Sequence, residues 1–290
     1  YHYRATEVLK GAAPAKPLDL FLDSGSRRVL KAHPKRSILL AKTEEGAWRR
    51  LAMVDDTLLV TVRDILRLAP EWQRPGTGRY DYFARLLGHD QPLLRDTAHL
   101  EVARAPYAYL RTLGRTFPRQ KILAALSEPR YLEWFALHIL LLAQSNDPRD
   151  RKRIEDSLRA AERLELPLHL GAWATAYVEI EGEKAIDFLE ARYLRIPRQP
   201  DELREVVAAL SVQGNGGREE LRDRIVAAYG VLLERYPDKA IDIVGDLLTW
   251  RRWEMADAIS TAADRRAEDL KPEDLGKLRW FVAMAGRANR

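Results

Sequence analysis

Apolar and polar residues alternate along this chain in two different rhythms, and the change comes near residue 60. In the first sixty residues the apolar positions gather in short runs, Tyr3–Gly11, Leu18–Leu22, Ser37–Lys42 and Trp48–Val54, each bounded by turn formers. Such runs predict strands. Gly11, Pro14 and Pro17 separate the first two, Asp23-Ser24-Gly25-Ser26 closes the second, and Glu44-Glu45-Gly46 stands where a hairpin from Leu40 to Trp48 would turn. A small, twisted antiparallel sheet or barrel is expected. Between Asp55 and Pro70 the period changes, with Val62, Ile65, Leu66 and Leu68 at helical spacing, before the breaker-rich stretch Pro70 to Gly78. The expected organisation is a β-rich domain over 1–69 ending in a short helix, a linker over 70–77 and a helical domain over 78–290.

From residue 78 onward strand patterns nearly vanish, and helical segments of about 10 to 18 residues follow one another with Pro, Gly or Asp-Pro between them. Leu221, Ile225, Ala228, Tyr229, Leu232 and Tyr236 form one apolar stripe, and Ile241, Val244, Leu247 and Leu248 form another. The stretch Tyr131 to Leu141 is apolar almost all round, which predicts a central helix. Pro92, Pro129, Pro167, Pro200, Pro237 and Pro272 lie 37, 38, 33, 37 and 35 residues apart, and proline suits the first turn of a helix, where its missing N–H is not needed. Most intervals hold two helical segments: 130–144 with 149–164, 168–180 with 182–194, 201–210 with 218–235, and 238–249 with 252–264.

In period, pairing and helix length, residues 78–290 resemble HEAT or armadillo helical repeats, with Ala98 to Leu113 and Lys239 to Thr249 similar to HEAT helices. That resemblance implies an α-solenoid of about five helix pairs. The front piece, Tyr3 to Gly11 followed by the basic Ile38-Leu39-Leu40 run, distantly resembles the netrin-like, OB-type barrels of metalloproteinase inhibitors. Their inhibition depends on an amino-terminal cysteine and disulfides, which this chain lacks, so only the strand pattern carries over. The fold class expected is α+β, a small antiparallel β domain ahead of the solenoid.

Composition narrows the function classes. Hydrophobic residues at 46% and charged residues at 31% give a globular balance, which excludes a disordered or collagen-like chain. The absence of cysteine removes disulfides, thiolate nucleophiles and cysteine metal sites together. No apolar run reaches the roughly 18 to 20 residues that span a bilayer. The chain opens on Tyr1 rather than Met, which favours an exported or periplasmic protein whose leader has been removed.

The net charge of +5 is not spread evenly: residues 1–75 hold 14 Lys and Arg against 9 Asp and Glu, and residues 76–290 hold 34 of each. Arg27, Arg28, Lys31, Lys35, Arg36, Lys42, Arg49 and Arg50 are opposed only by Glu44 and Glu45. Two readings stay open. The cluster could attract phosphate backbones or anionic lipid heads, or it could edge short strands with charge so that they stay unpaired.

Candidate chemistry is sparse. None of the six histidines forms an H-E-x-x-H pattern, and the nearest constellation, Asp96 with His99 at i,i+3 and Glu101 nearby, is expected to be a local hydrogen bond. His138, inside an apolar helix, is expected to be a core histidine. Ser24-Gly25-Ser26 reads as a turn rather than a nucleophile elbow. Gly214-Asn215-Gly216-Gly217 lacks the Lys-Ser/Thr ending of a phosphate loop and is expected to be a flexible connection. The most suggestive remaining feature is Trp250-Arg251-Arg252-Trp253, with Arg279-Trp280-Phe281 near the end. In helical-repeat DNA glycosylases Trp and Arg on a concave surface hold damaged DNA, yet at a junction of two helices indoles also plug the core between repeats. The neutral helical region counts against nucleic acid.

The expectation is a non-enzymatic binding or scaffold protein, with no cofactor, no metal and no catalytic residues, that recognises a protein partner through its helical surface. The candidate binding residues are Trp250, Arg251, Arg252 and Trp253, with Arg27, Arg28, Lys35 and Arg36. A nucleic-acid-binding or DNA-repair helical-repeat protein is the alternative, and an enzyme of another class, its cleft joining residues distant in sequence, is the third.

Overall fold

The computed structural model describes residues 2–19 and 21–288 and divides into two compact units, Tyr1–Asp96 and Thr97–Arg290. Helices take up 69% of the chain, so the α+β class is strongly weighted to its helical part. In the first unit the elements are β1 (His2–Tyr3), β2 (Leu18–Asp19), α1 (Ser24–Ala32), β3 (Ser37–Lys42), β4 (Trp48–Val54), α2 (Asp56–Trp72) and α3 (Gly78–Ala84). α4 (Pro92–Ala103) contains the point at which the two units are divided.

Among the described residues the strands form two separate antiparallel pairs, β1 with β2 and β3 with β4, rather than one barrel. The hairpin matches its sequence signal: Ser37 faces Val54 and Lys42 faces Trp48, and the chain reverses through Thr43 to Ala47 with Gly46 at φ +88°. A bulge between Leu39 and Leu40 leaves Leu51 without a cross-strand partner. The first two expected strands are cut short. β1 ends at Tyr3, after which Glu7 takes a two-pronged ion pair with Arg63 at 2.8 and 2.6 Å, and Gly11 turns at φ +81°. β2 holds only Leu18 and Asp19; Leu20, part of the same expected run, lies outside the described residues.

Asp23-Ser24-Gly25-Ser26, expected as a turn, instead starts a helix. The Asp23 carboxylate accepts from the Ser26 N–H at 2.8 Å and the Ser26 hydroxyl at 2.6 Å, which satisfies a free donor of the first turn of α1. Arg27, Arg28 and Lys31 therefore lie on a helix and not at strand edges. α2 starts the same way, with Asp55 accepting from the Leu58 N–H at 3.0 Å. It runs on through Pro70 to Trp72, so the non-helical stretch between α2 and α3 falls at residues 73–77. Leu39, Ala52, Val54, Leu58, Val62 and Leu94 make a small core between the hairpin, α2 and α4.

The second unit continues with α5 (Tyr107–Thr116), α6 (Arg119–Ala125), a 3-10 turn Pro129–Trp134 leading into α7 (Phe135–Leu142), α8 (Pro148–Leu164) and α9 (Leu170–Glu181). Then come α10 (Glu183–Leu189), which ends in a π-helical turn Glu190–Leu194, and α11 (Pro200–Gly216). α12 (Arg222–Arg235), α13 (Ala240–Thr249), α14 (Ala256–Arg265) and α15 (Pro272–Ala288) complete it. Of the six spaced prolines, Pro92, Pro129, Pro200, Pro237 and Pro272 each stand first in a helical element, while Pro167 precedes α9 by three residues.

Besides packing on sequence neighbours, as α8 does on α9 and α14 on α15, helices of this unit pack on the next but one. α5 packs on α7, α7 on α9, α9 on α11, α11 on α13 and α13 on α15, while α10 packs on α12 and α12 on α14. Small residues allow the closest approaches: Ala174 and Ala176 of α9 are wholly buried, and α9 is enclosed by α7, α8, α10 and α11. The helix expected to be central, α7, buries Leu137, His138, Ile139, Leu141 and Leu142. Between the layers Ile154, Leu158, Ile186, Leu189, Leu210, Ile225, Leu232, Ile243, Leu247 and Ile259 are all fully buried. At about 1.5 to 3 kcal/mol for each buried side chain of this size, this apolar interior is the main stabilising term of the unit.

Candidate functional site

The helices of the second unit carry three groups of polar side chains at their contacts. The first joins α5, α9 and α11. Tyr107 donates its hydroxyl to Glu179 Oε2 at 2.9 Å, Arg111 donates to Glu179 Oε1 at 2.9 Å and to the Gly217 carbonyl at 3.1 Å, and Gln213 donates to the Thr175 carbonyl at 2.8 Å. Burial, and then the Glu179 charge, push the Tyr107 hydroxyl far above the usual phenol range, so it stays a donor. The Glu179 side chain is 7% exposed, and an ion pair kept this dry fixes the register of three helices because breaking it strands a charge.

The second group contains His99 and His138, 1% and 2% exposed, whose Nε2 atoms approach to 3.1 Å. One nitrogen must hold the proton and the other accept it. Tyr131 and Trp134 pack their rings on His99 at 5.5 and 5.4 Å. Burial, then the neighbouring His99, hold His138 down to about 3. His99, expected in a local bond with Asp96, thus meets a residue 39 positions away.

The third group surrounds Trp250. Its indole lies parallel to the Tyr229 ring, with centroids 6.1 Å apart and 7° between planes, and its Nε1–H donates to Asn215 Oδ1 at 3.0 Å. Tyr229, Ser211 and Asn215 all donate to the buried Asp246 carboxylate, at 2.8, 3.0 and 2.7 Å. Trp253 packs on Phe281 at 5.5 Å, Arg252 pairs with Asp223, and Arg251 is exposed with φ +57°. The structure therefore separates the four candidates of this segment: both indoles take part in packing between helices, and Arg251 alone points fully to solvent. Arg27, Arg28, Lys35 and Arg36 of the first unit are all exposed.

Gly214-Asn215-Gly216-Gly217, expected as a flexible connection, is the last turn of α11 and its cap. Glycine is needed there because a Cβ at Gly214 would run into the Trp250 ring. Gly214→Ala should gain up to about 1 kcal/mol of helix propensity and lose more to overpacking, about 1 to 3 kcal/mol. A net loss near 1 to 2 kcal/mol in urea unfolding is expected, and it should vanish when Trp250→Leu removes the obstacle. If Gly214→Ala stabilises the protein, this close approach is wrong.

One open groove of about 700 Å³ lies between the π turn and the end of α12, with Leu194, Val231 and Tyr236 as its apolar lining and Arg195, Arg198 and Arg235 as its cations. Glu234 is the carboxylate on its wall. Arg195 is paired with Glu190, and Arg198 with Glu162 at 2.7 Å, while the Arg235 guanidinium lies 5.9 Å over the Tyr236 ring. The Tyr236 hydroxyl donates to the Ile196 carbonyl at 2.9 Å and fixes one wall. No family model, curated protein or solved structure matches the chain. Among the described residues no group of three or more His, Asp or Glu is placed to hold a metal ion, and no helix is long and apolar enough to cross a membrane. Arg195, Arg198 and Arg235 carried no sequence signal, and Tyr236 figured only as the last member of an apolar stripe. Arg195, Arg235 and Tyr236 come together only because α10 overruns into a π turn, a feature frequent at functional sites that the residue pattern does not encode.

Proposed function

We propose that this chain is a non-enzymatic binding protein whose helical unit, residues 97–290, is a solenoid of HEAT-like helix pairs that recognises an acidic segment of a protein partner. The observation that carries the reading is the packing of each helix on the next but one along α5, α7, α9, α11, α13 and α15. Units stacked in this way bury their core between neighbours and leave an extended surface whose usual use is macromolecular recognition. The groove beside α12 supplies the chemistry: the exposed Arg235 guanidinium over the Tyr236 ring, with Leu194 and Val231 beside it, complements a partner segment with a carboxylate next to apolar side chains.

The test uses the full chain and its Arg235→Glu variant, immobilised and exposed to extract with and without nuclease treatment. Arg235 is exposed at the end of its helix, so the variant stays folded. A protein held by the parent and lost by the variant supports the reading. Retention that disappears with nuclease treatment would favour the nucleic-acid alternative, and equal retention by both forms would remove the groove from the account.

A further inference from the structure

The first unit carries a surface that the proposed groove does not use. From Ser24 to Thr43 there are six Lys and Arg and no Asp or Glu, and Arg27, Arg28, Lys31, Lys35, Arg36 and Lys42 are all exposed. Phe21, three residues ahead of α1, is 93% exposed, and Leu51 is 61% exposed. Each is a near neighbour in sequence of a residue at the contact between β4 and the start of that basic helix. Arg50 donates to the Ser26 hydroxyl at 2.9 Å and lies 3.6 Å from the Asp23 carboxylate. It thus fastens β4, at the residue next to Leu51, onto Asp23 and Ser26 at the start of α1, two and five residues from Phe21. Leu22 between Phe21 and Asp23 is buried at 3% exposure, so the segment is anchored while the phenyl ring faces water.

We propose that this face of the first unit docks on the surface of an anionic lipid bilayer, with Phe21 and Leu51 entering the headgroup boundary and the cations of α1 and the following turn facing the lipid phosphates. Charge complementarity selects an anionic partner: each cation of a run with no intervening carboxylate adds to the attraction of an anionic membrane. The apolar members decide between anionic partners. A single-stranded nucleic acid is held by aromatic platforms on which successive bases stack, and here the second exposed apolar group is an aliphatic leucine, which stacks no base but does partition into lipid.

The test is co-sedimentation of the full chain with phosphatidylcholine vesicles with and without phosphatidylglycerol, at low and high salt. Binding is expected only with phosphatidylglycerol and is expected to fall as salt rises. Phe21→Ser should weaken it about tenfold or more, the loss of a buried phenyl side chain, with an unchanged circular dichroism spectrum because the ring makes little contact in the folded protein. The double variant Arg27→Glu, Arg28→Glu should weaken it at least as much, and Arg235→Glu should leave it unchanged, which separates this surface from the groove. Equal binding to both kinds of vesicle, no binding to either, or binding indifferent to Phe21→Ser would overturn the proposal. So would a single-stranded oligonucleotide that binds where phosphatidylglycerol vesicles do not.

Discussion

Glu179→Ala should destabilise the helical unit by about 3 kcal/mol or more, the cost of removing one partner from a buried ion pair. The residue is 7% exposed and takes hydrogen bonds from Tyr107 on α5 and Arg111, so its loss leaves a guanidinium 21% exposed and a buried hydroxyl without their acceptor. Gln213, whose side chain touches the same carboxylate at 3.4 Å, keeps its bond to the Thr175 carbonyl and partly fills the gap. Glu179→Gln retains an acceptor oxygen and should cost clearly less. Urea unfolding monitored through the midpoint at constant slope separates the two variants. A loss below about 1 kcal/mol for Glu179→Ala, the range of exposed pairs, would show that Arg111 is served by water and that the three helices hold their register without it.

The second large effect is acid sensitivity from the His99 and His138 pair. Burial holds the folded His138 down to about 3, against an ordinary value of 6.5. A group whose folded pKa is depressed binds its proton more readily in the unfolded chain, so the stability it lends is complete above the unfolded value and drains as pH falls. About 2 kcal/mol should be lost between pH 7 and pH 5, with further loss down to the folded value. The double variant His99→Leu, His138→Leu removes both partners of the hydrogen bond together and leaves neither nitrogen orphaned. Its unfolding free energy should fall by about 2 kcal/mol less than that of the parent over the same interval. Identical pH profiles for the two proteins would mean that the pair protonates while folded.

The contrast between what the residue pattern announced and what it concealed follows physical lines. β3, β4 and their turn were legible because an apolar run, Gly46 and a second run of matching length are local signals that need no distant partner. The helical segments were legible for the same reason, since proline at a first turn and apolar residues at three- and four-residue spacing act within one helix. The start of α1 was misread because Asp23 and Ser26 make equally good turn and cap residues, and the side-chain bond that decides between them depends on the three-dimensional setting. The glycine-rich end of α11 was misread as flexible because the reason for Gly214 is a tryptophan 36 positions later. His99 with His138, and Glu179 with Arg111, are likewise long-range pairs. The groove required both a π turn and the end of α12, and neither periodicity nor composition registers such a meeting.

The most direct test of the central claim, recognition of a partner by the helical unit, is amide hydrogen exchange of the full chain alone and with the protein it retains. The account predicts slowed exchange concentrated at residues 194–198 and 231–236 on both walls of the groove, with the buried cores of α9 and α11 unchanged. A retained protein that leaves residues 97–290 exchanging at their free rates would contradict it.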